Sequence, residues 1–164
     1  MIVVDDFIQD KYILDSFSDV ELWNSLDDGK YKTWDGTGYT PHDAISEYIW
    51  QLKNKFWEDR TWKKFEYWVN ITNETQTLDW HVDKDEALAE EGKTVCPQIG
   101  AVWYGFPHKV WGGYLEIENT QEISPDIERI KPVYNRVVVF DVSQEHRVAP
   151  ILAGNRYGMQ VNLW

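Results

Sequence analysis

The chain has 164 residues, a length that suits a single folded domain. Hydrophobic residues make up 43% of it and 10 residues are tryptophan, which excludes a disordered or low-complexity protein. The formal net charge of −12 argues against a nucleic-acid partner, because such binding depends on basic groups that neutralise phosphates. Cys96 is the only cysteine, so an internal disulfide framework is excluded.

The N-terminal segment lacks the features of a targeting or membrane segment. It has no basic region followed by an apolar run, and no stretch of the chain is long and apolar enough to span a bilayer. Together with the single cysteine, this predicts a cytoplasmic protein without a membrane partner.

The first part of the chain predicts mainly helices. Ile2–Val4 reads as a short strand, residues 10–26 as one or two short helices, and residues 30–39 as a loop rich in turn residues. A longer helix is expected to begin with Thr40 as its cap and Pro41 at its first position. Its apolar face recurs at helical spacing, at Ile45, Ile49, Leu52 and Phe56.

The rest of the chain predicts mostly strands. These lie at residues 65–71, 98–106, 114–117, 136–142 and 157–164, separated by turn residues. Helices followed by several short strands favour an α+β protein, mainly β, in which a sandwich or barrel carries helices on one outer face. We therefore expect one domain over residues 1–164, with helical support at about 8–60 and a barrel at about 64–164.

Three side chains could bind one metal ion. His81 and Asp83 stand two residues apart, so in extended backbone they project from the same face. A lone His-x-Asp pair is a weak signal, but His146 follows an apolar strand that would bring it to the same interior. Two imidazoles and one carboxylate form the set that non-haem Fe(II) oxygenases use. A zinc hydrolase is disfavoured because the chain has no His-Glu-x-x-His motif.

The last predicted strand has one polar and one apolar face. Alternation places on one face the side chains of Arg156, Gly158, Gln160, Asn162 and Trp164. These residues suit a polar cavity in which the guanidinium binds a carboxylate and the glycine leaves room. The alternative is a solvent-facing strand with an exposed arginine.

With these residues in place, the chain resembles the 2-oxoglutarate/Fe(II)-dependent dioxygenase superfamily, and within it the prolyl-hydroxylase-like branch. The resemblance extends from about residue 65 to residue 164. It rests on the His-x-Asp pair at His81 and Asp83, the distal His146, and Arg156 ten positions later. The segments at 100–104 and 111–117, the second with its Gly-Gly pair, and the opening at 3–7 are also similar to the family.

The resemblance implies a double-stranded β-helix, a jelly-roll barrel like that of the cupins. It implies that His81, Asp83 and His146 bind Fe(II), and that Arg156 and Tyr104 bind the far carboxylate of 2-oxoglutarate. The apolar walls would be Val102, Leu115 and Val148. Asn162 stands where relatives often have an aromatic residue facing the iron, so we expect it to contact the substrate.

The implied reaction is hydroxylation of a C–H bond with dioxygen, releasing succinate and carbon dioxide, with ascorbate as an optional reductant. A prolyl residue in a peptide or protein is the first substrate class. A free amino acid or another small metabolite is the alternative, and a cupin-like binding module without catalysis is the third interpretation.

Residues 84–98 contain an acidic stretch of some helical propensity. We expect this segment to form a lid that favours a basic or neutral substrate. The alternative is an ordinary exposed loop.

Overall fold

A computed structural model describes residues 1–76, 78–119 and 126–164. Its helices are α1 (Lys11–Phe17), α2 (Val20–Leu26), α3 (Asp43–Phe56) and α4 (Glu86–Glu90). Aspartates cap the two short N-terminal helices, since the Asp10 and Asp19 carboxylates accept hydrogen bonds from backbone N–H groups two residues on. Within these described ranges no helix has the length and apolar character needed to cross a membrane.

The strands follow mostly after α3. They are β1 (Ile2–Val4), β2 (Lys32–Trp34), β3 (Phe65–Thr72), β4 (Leu78–His81), β5 (Ile99–Trp103), β6 (Val110–Gly112), β7 (Leu115–Asn119), β8 (Asp126–Ile130), β9 (Val137–Phe140), β10 (His146–Val148), β11 (Ile151–Gly154) and β12 (Arg156–Leu163). The major sheet has the order β1-β9-β5-β12-β3-β2, and the minor sheet the order β4-β10-β7-β8. The strand pairs are antiparallel, and β6 pairs separately with β11. The protein is thus mainly β with a few helices.

The helices cover one face of the major sheet with a core rich in aromatic rings. The indole of Trp103 on β5 stacks on Tyr48 of α3, with 4.6 Å between ring centroids, and meets Phe17 of α1 edge-on at 4.8 Å. The buried Asn135 side chain accepts hydrogen bonds from Trp103 Nε1 and from the Ile8 N–H, and donates to the Ile8 carbonyl. The N-terminal segment is therefore fixed to the sheet by both packing and hydrogen bonds.

The opposite face of the major sheet packs on the minor sheet. A second apolar cluster joins buried residues of both sheets: Val102, Tyr104, Leu115, Ile117, Ile130, Val138, Phe140 and Val142. Because strand side chains alternate between faces, the even-numbered residues of β12 face this interior and the odd-numbered ones face the helices. The alternation predicted for this strand is confirmed.

Several predicted elements differ in the structure. The loop predicted at 30–39 contains β2, which escapes sequence reasoning because three residues at a sheet edge carry no periodicity. The long helix begins at Asp43, so the predicted cap at Thr40 and the predicted first helical position at Pro41 are both wrong. The Thr40 N–H instead donates to the Ser46 hydroxyl at 2.7 Å, and the Thr40 hydroxyl donates to the His42 carbonyl. His42 occupies the N-cap position, where its side chain makes no capping hydrogen bond. The strands β4, β6, β8, β10 and β11 were not among the predicted strands, because they are short or charged.

Candidate active site

The two candidate histidines face each other across a strand pair of the minor sheet. His81 ends β4, His146 begins β10, and they are register partners whose ring centroids lie 4.3 Å apart. Asp83 follows two residues after His81, and its backbone N–H donates to the Val142 carbonyl at 2.9 Å, just beyond β9. The minor sheet thus holds the histidines, and a backbone hydrogen bond joins the aspartate to the segment that follows β9 of the major sheet.

The three side chains offer their ligand atoms to one point. Asp83 Oδ1 lies 3.7 Å from Nε2 of His81 and 3.7 Å from Nε2 of His146, and one ligand atom from each residue falls within 4.8 Å of the others. Bonds from such ligands to a first-row metal ion are about 2 Å long. A small inward movement of the rings would therefore let one ion bind all three residues.

Backbone carbonyls fix the orientation of both imidazoles. His81 Nδ1 lies 2.7 Å from the Asp79 carbonyl and His146 Nδ1 lies 2.8 Å from the Gln144 carbonyl. A carbonyl oxygen can only accept, so each Nδ1 carries the proton and each Nε2 presents its lone pair. Burial lowers the pKa of His146 and so favours its neutral form. The two carbonyl contacts thus orient both rings so that each Nε2 is available to a metal ion.

The ligand set opens into a cleft of about 690 Å³ between the sheets. The expected apolar walls Val102, Leu115 and Val148 all line it, as do the four even-numbered residues of β12, including Arg156. Near the outside, the cleft is lined by Tyr31 and Trp68, whose rings meet edge-on at 4.9 Å. One cleft therefore joins the three candidate ligands, a buried arginine and an aromatic entrance.

Arg156 is a buried cation without a carboxylate partner among residues 1–76, 78–119 and 126–164. Only 3% of the residue is exposed, and its Nη2 donates to the Tyr104 hydroxyl at 3.1 Å. Its Nε has no hydrogen-bond partner within the described ranges. Burying an unpaired charge is costly unless an anion binds to it. The arginine is therefore suited to an anionic ligand.

The surroundings of Arg156 leave room for its guanidinium and hold it in place. A Cβ added to Gly158 would lie 3.0 Å from Arg156 Nη1, so the glycine provides space for the charged group. The fully buried Tyr104 contacts the guanidinium with both its hydroxyl and its ring, 5.0 Å from ring centroid to Cζ. Tyr104 thus lies beside Arg156, and its predicted contact with 2-oxoglutarate stays a prediction.

Asn162 lies deep in the cleft beside Asp83. Only 1% of it is exposed, and its Nδ2 donates to Asp83 Oδ2 at 2.9 Å. Gln160, two residues earlier on the same face, donates from Nε2 to Asn162 Oδ1 at 3.0 Å and reaches Asp83 Oδ2 at 3.4 Å. Both amides line the cleft. The structure therefore adds an aspartate contact to the substrate contact predicted for Asn162.

Comparison with known proteins identifies the family. The model of the 2OG-Fe(II) oxygenase superfamily matches residues 67–164, more than half of the chain. The chain belongs to this superfamily. The matched range contains the two histidines, the aspartate and the arginine described above. Among proteins of curated function, no sequence matches the chain significantly.

Solved structures share the fold of this oxygenase at low sequence identity. A prolyl-4-hydroxylase from Pseudomonas putida is 14% identical with a TM-score of 0.66, covering 99% of this chain and 90% of that chain. A Trichoplax adhaerens prolyl hydroxylase, in complex with a hypoxia inducible factor peptide fragment, is 14% identical with a TM-score of 0.65, at 99% and 82% coverage. HygX from Streptomyces hygroscopicus, with nickel and 2-oxoglutarate bound, is 11% identical with a TM-score of 0.66, at 99% and 80% coverage. At these identities the likeness establishes the fold alone.

The residues of this oxygenase fit the groups that its family name implies. Two imidazoles and one carboxylate suit Fe(II) and leave positions for other ligands. A buried guanidinium whose Nε–H has no hydrogen-bond partner among the described residues suits the far carboxylate of 2-oxoglutarate. Membership of the superfamily and this donor set together support Fe(II) and 2-oxoglutarate as the cofactor and cosubstrate.

Two residues near the site were missed or misjudged from the sequence. Gln160 was placed on the polar face without a role, because only the fold shows that it is close to Asp83. His108 has no role that the sequence indicates, but its ring is half-buried and its Nε2 is fully enclosed near Tyr104. The Pro107-His108 pair reads as a loop in sequence, and no local signal shows which loops fold inward.

Proposed function

We propose that this oxygenase hydroxylates a C–H bond of a prolyl residue in a peptide or protein. The reaction consumes one 2-oxoglutarate and one dioxygen. One oxygen atom enters the new hydroxyl group and the other enters succinate, with loss of carbon dioxide. Bound Fe(II) supplies the activation of dioxygen, and ascorbate restores iron that has been oxidised without product.

The observation that carries this proposal is the pairing of two features in one cleft. Three convergent metal-type ligands, His81, Asp83 and His146, lie in the same cleft as the buried Arg156, which has no carboxylate partner in the part of the chain that the structure describes. A binding module without catalysis has no need for both features. A 2-oxo diacid needs a metal for its 2-oxo acid group and a cation for its distant carboxylate.

Each residue has a defined task in this proposal. The two histidines and Asp83 hold the metal, and their backbone contacts keep the imidazole Nε2 atoms pointed at it. Arg156 and Tyr104 bind the far carboxylate of 2-oxoglutarate and so fix its orientation. Val102, Leu115 and Val148 exclude water from the reacting groups. We expect Asn162 to contact the substrate from the wall of the cleft.

The prolyl substrate is supported by the entrance of the cleft. Tyr31 and Trp68 form an edge-to-face corner at 4.9 Å, and such apolar ring faces suit the compact, carbon-rich ring of a prolyl residue. The fold is shared with the Pseudomonas putida prolyl-4-hydroxylase and with the Trichoplax adhaerens enzyme in complex with a peptide. An extended peptide is therefore the first substrate to test.

A free amino acid is the second candidate, favoured by charges of both signs around the cleft. Lys64 and Lys84 line it together with Glu66 and Glu86. Such a mixture can bind the ammonium and carboxylate groups of a zwitterion. Product analysis separates the two candidates: mass spectrometry would show one added oxygen atom on a proline-rich peptide or on the free amino acid.

We also propose that residues 1–164 form one catalytic domain with a double-stranded β-helix, or jelly roll. Its barrel would span about residues 64–164, and the helical support would span about residues 8–60.

Helix α4 begins directly after Asp85, which caps it through a hydrogen bond from the Leu88 N–H. Asp85 and Glu86 line the cleft, which supports the proposed acidic lid in this segment.

The direct test of the reaction is succinate formation. Protein purified without oxygen is mixed with Fe(II), ascorbate and 2-oxoglutarate, air is admitted, and succinate is measured with and without a proline-rich peptide. Wild type is expected to form succinate, and Arg156→Lys to need far more 2-oxoglutarate, because lysine cannot make the paired contact of a guanidinium. Arg60→Lys, on the surface, is the matched control. No succinate under any condition would refute the proposed function.

A further inference from the structure

The carboxylate of Asp83 presents its two oxygens to different surroundings. Oδ1 faces the imidazoles, 3.7 Å from each Nε2. Oδ2 faces the wall of the cleft, 2.9 Å from Asn162 Nδ2 and 3.4 Å from Gln160 Nε2. The oxygen that is directed away from the histidines is therefore already occupied by amide donors.

The direction of these hydrogen bonds follows from their chemistry. An ionised carboxylate can only accept, so Asn162 must present its NH₂ group to Asp83, which leaves its carbonyl oxygen pointing the other way. That carbonyl accepts from Gln160 Nε2 at 3.0 Å. The two amides thus form an ordered chain of donors that ends on one oxygen of Asp83.

The fold is shaped to accommodate this chain. Gly100 on β5 is the register partner of Asn162. A Cβ at Gly100 would lie 2.9 Å from Gln160 Nε2 and closer still to Asn162 Oδ1. Of these residues, Asn162 is 1% and Gln160 8% exposed, and buried amides are destabilising unless they are hydrogen-bonded. The amides and the space beside them therefore belong to one arrangement.

We infer that Asn162 and Gln160 are positioning residues for the metal ligand Asp83, an inference that rests on the proposed function. The two amides, together with the backbone bond from Asp83 to Val142, attach the aspartate to the major sheet. The histidines belong to the minor sheet. The amide chain fixes the carboxylate so that only Oδ1 is presented to the metal, and it sets the position of Asp83 relative to the two imidazoles.

The test measures metal affinity without catalysis, using Mn(II) as the probe in the absence of 2-oxoglutarate. Calorimetric titration compares wild type with Asn162→Leu, which keeps the size but loses the donor, and with the smaller Asn162→Ser. Loss of such a supporting hydrogen bond is expected to weaken Mn(II) binding about 10- to 100-fold. Gln160→Leu should have a smaller effect, because its contact with Asp83 is longer at 3.4 Å.

The matched control is Asn70→Leu, which removes an amide that lines the same cleft from β3. It should leave Mn(II) affinity unchanged. A purely structural role for Asn162 would lower the melting temperature without changing the Mn(II) dissociation constant, and that result would overturn the inference. Lower Mn(II) affinity in both folded Asn162 variants, with the KM for 2-oxoglutarate unchanged, would support it.

His81→Ala separates failure of this inference from failure of the proposed function. If wild type and His81→Ala bind Mn(II) equally, the metal site itself is wrong, and both proposals fail. If His81→Ala loses binding but both Asn162 variants retain it, the metal site stands and only the role of the amides is refuted.

Discussion

The two faces of β12 differ in chemistry although their residues alternate along one strand. The face toward the helices carries the apolar side chains Tyr157, Met159, Val161 and Leu163. The face toward the cleft carries Arg156, Gly158, Gln160 and Asn162. The residues that face the helices stabilise the fold through the apolar area that they bury. Each residue that faces the cleft has a particular polar partner or provides space for one. Substitutions on the helix side should therefore lower stability, whereas substitutions on the cleft side should impair binding and turnover.

The largest effect is expected at the metal ligands on the cleft side. Asp83→Ala removes the carboxylate that faces both histidines, and the loss of several kcal/mol of metal-centred stabilisation lowers the rate about 1,000-fold or more. Succinate formation measures this loss. The control is Asp79→Ala, which alters an exposed side chain nearby but keeps the backbone carbonyl that binds His81. Equal activity in wild type and Asp83→Ala would refute the assignment.

On the helix side, the largest expected effect is on stability. Trp103→Ala removes an indole that is stacked on Tyr48 and hydrogen-bonded to Asn135. Loss of such a buried aromatic side chain lowers the free energy of unfolding by about 3–5 kcal/mol, as measured by urea denaturation. Trp111→Ala, at a position that is 73% exposed, should change it by no more than about 0.5 kcal/mol. Similar losses in both variants would contradict the proposed difference between the packed and exposed sites.

A smaller effect is expected from Gly158→Ala. The added Cβ would lie 3.0 Å from Arg156 Nη1, and overpacking of this kind costs about 1–3 kcal/mol. The KM for 2-oxoglutarate should rise about 10-fold or more, because the guanidinium must shift from its site. Mn(II) affinity should stay the same, since the metal ligands are not touched. A change in Mn(II) affinity with an unchanged KM would show that Gly158 does not serve the arginine.

The smallest effect concerns pH and His108. Burial, and to a lesser extent the charge of Arg156, lowers the pKa of His108, while the hydrogen bond with the Phe106 carbonyl opposes this shift. As the pH falls, His108 takes up its proton first in the unfolded chain, where its pKa is about 6.5. The contribution of His108 to folding stability is therefore present above about pH 6.5 and is lost below it. His108→Gln should weaken this dependence. His146 shifts in the same direction, but wild type and His108→Gln both keep it, so the difference between their urea denaturation curves at pH 5.5 and pH 7.5 reports on His108.

The sequence predicted which candidate site residues lie together better than it predicted the surrounding elements. His81, Asp83, His146 and Arg156 stand in a recognisable order, and the structure brings all four into one cleft. The spacing of these residues along the chain is informative because metal ligands must converge on one ion, however the intervening loops fold. Alternation predicted the two faces of β12 for a similar reason, since the period of a strand is fixed by its backbone.

Features that depend on contacts between distant segments could not be predicted. The strand β2 forms only because β3 lies beside it, and the helix start at Asp43 depends on how Thr40 binds Ser46. The amide contact with Asp83 joins residues 79 positions apart in the chain. No local pattern in the sequence carries that information, because the contact exists only when the two sheets have come together.

The most direct test of the central claim is calorimetric titration of 2-oxoglutarate into the protein under anaerobic conditions, with and without Mn(II). The account predicts binding that requires the metal and is weakened far more by Arg156→Lys than by the surface variant Arg60→Lys. Binding of 2-oxoglutarate that is independent of both Mn(II) and Arg156, or no binding at all, would contradict the claim that this cleft is the site of an Fe(II) and 2-oxoglutarate oxygenase.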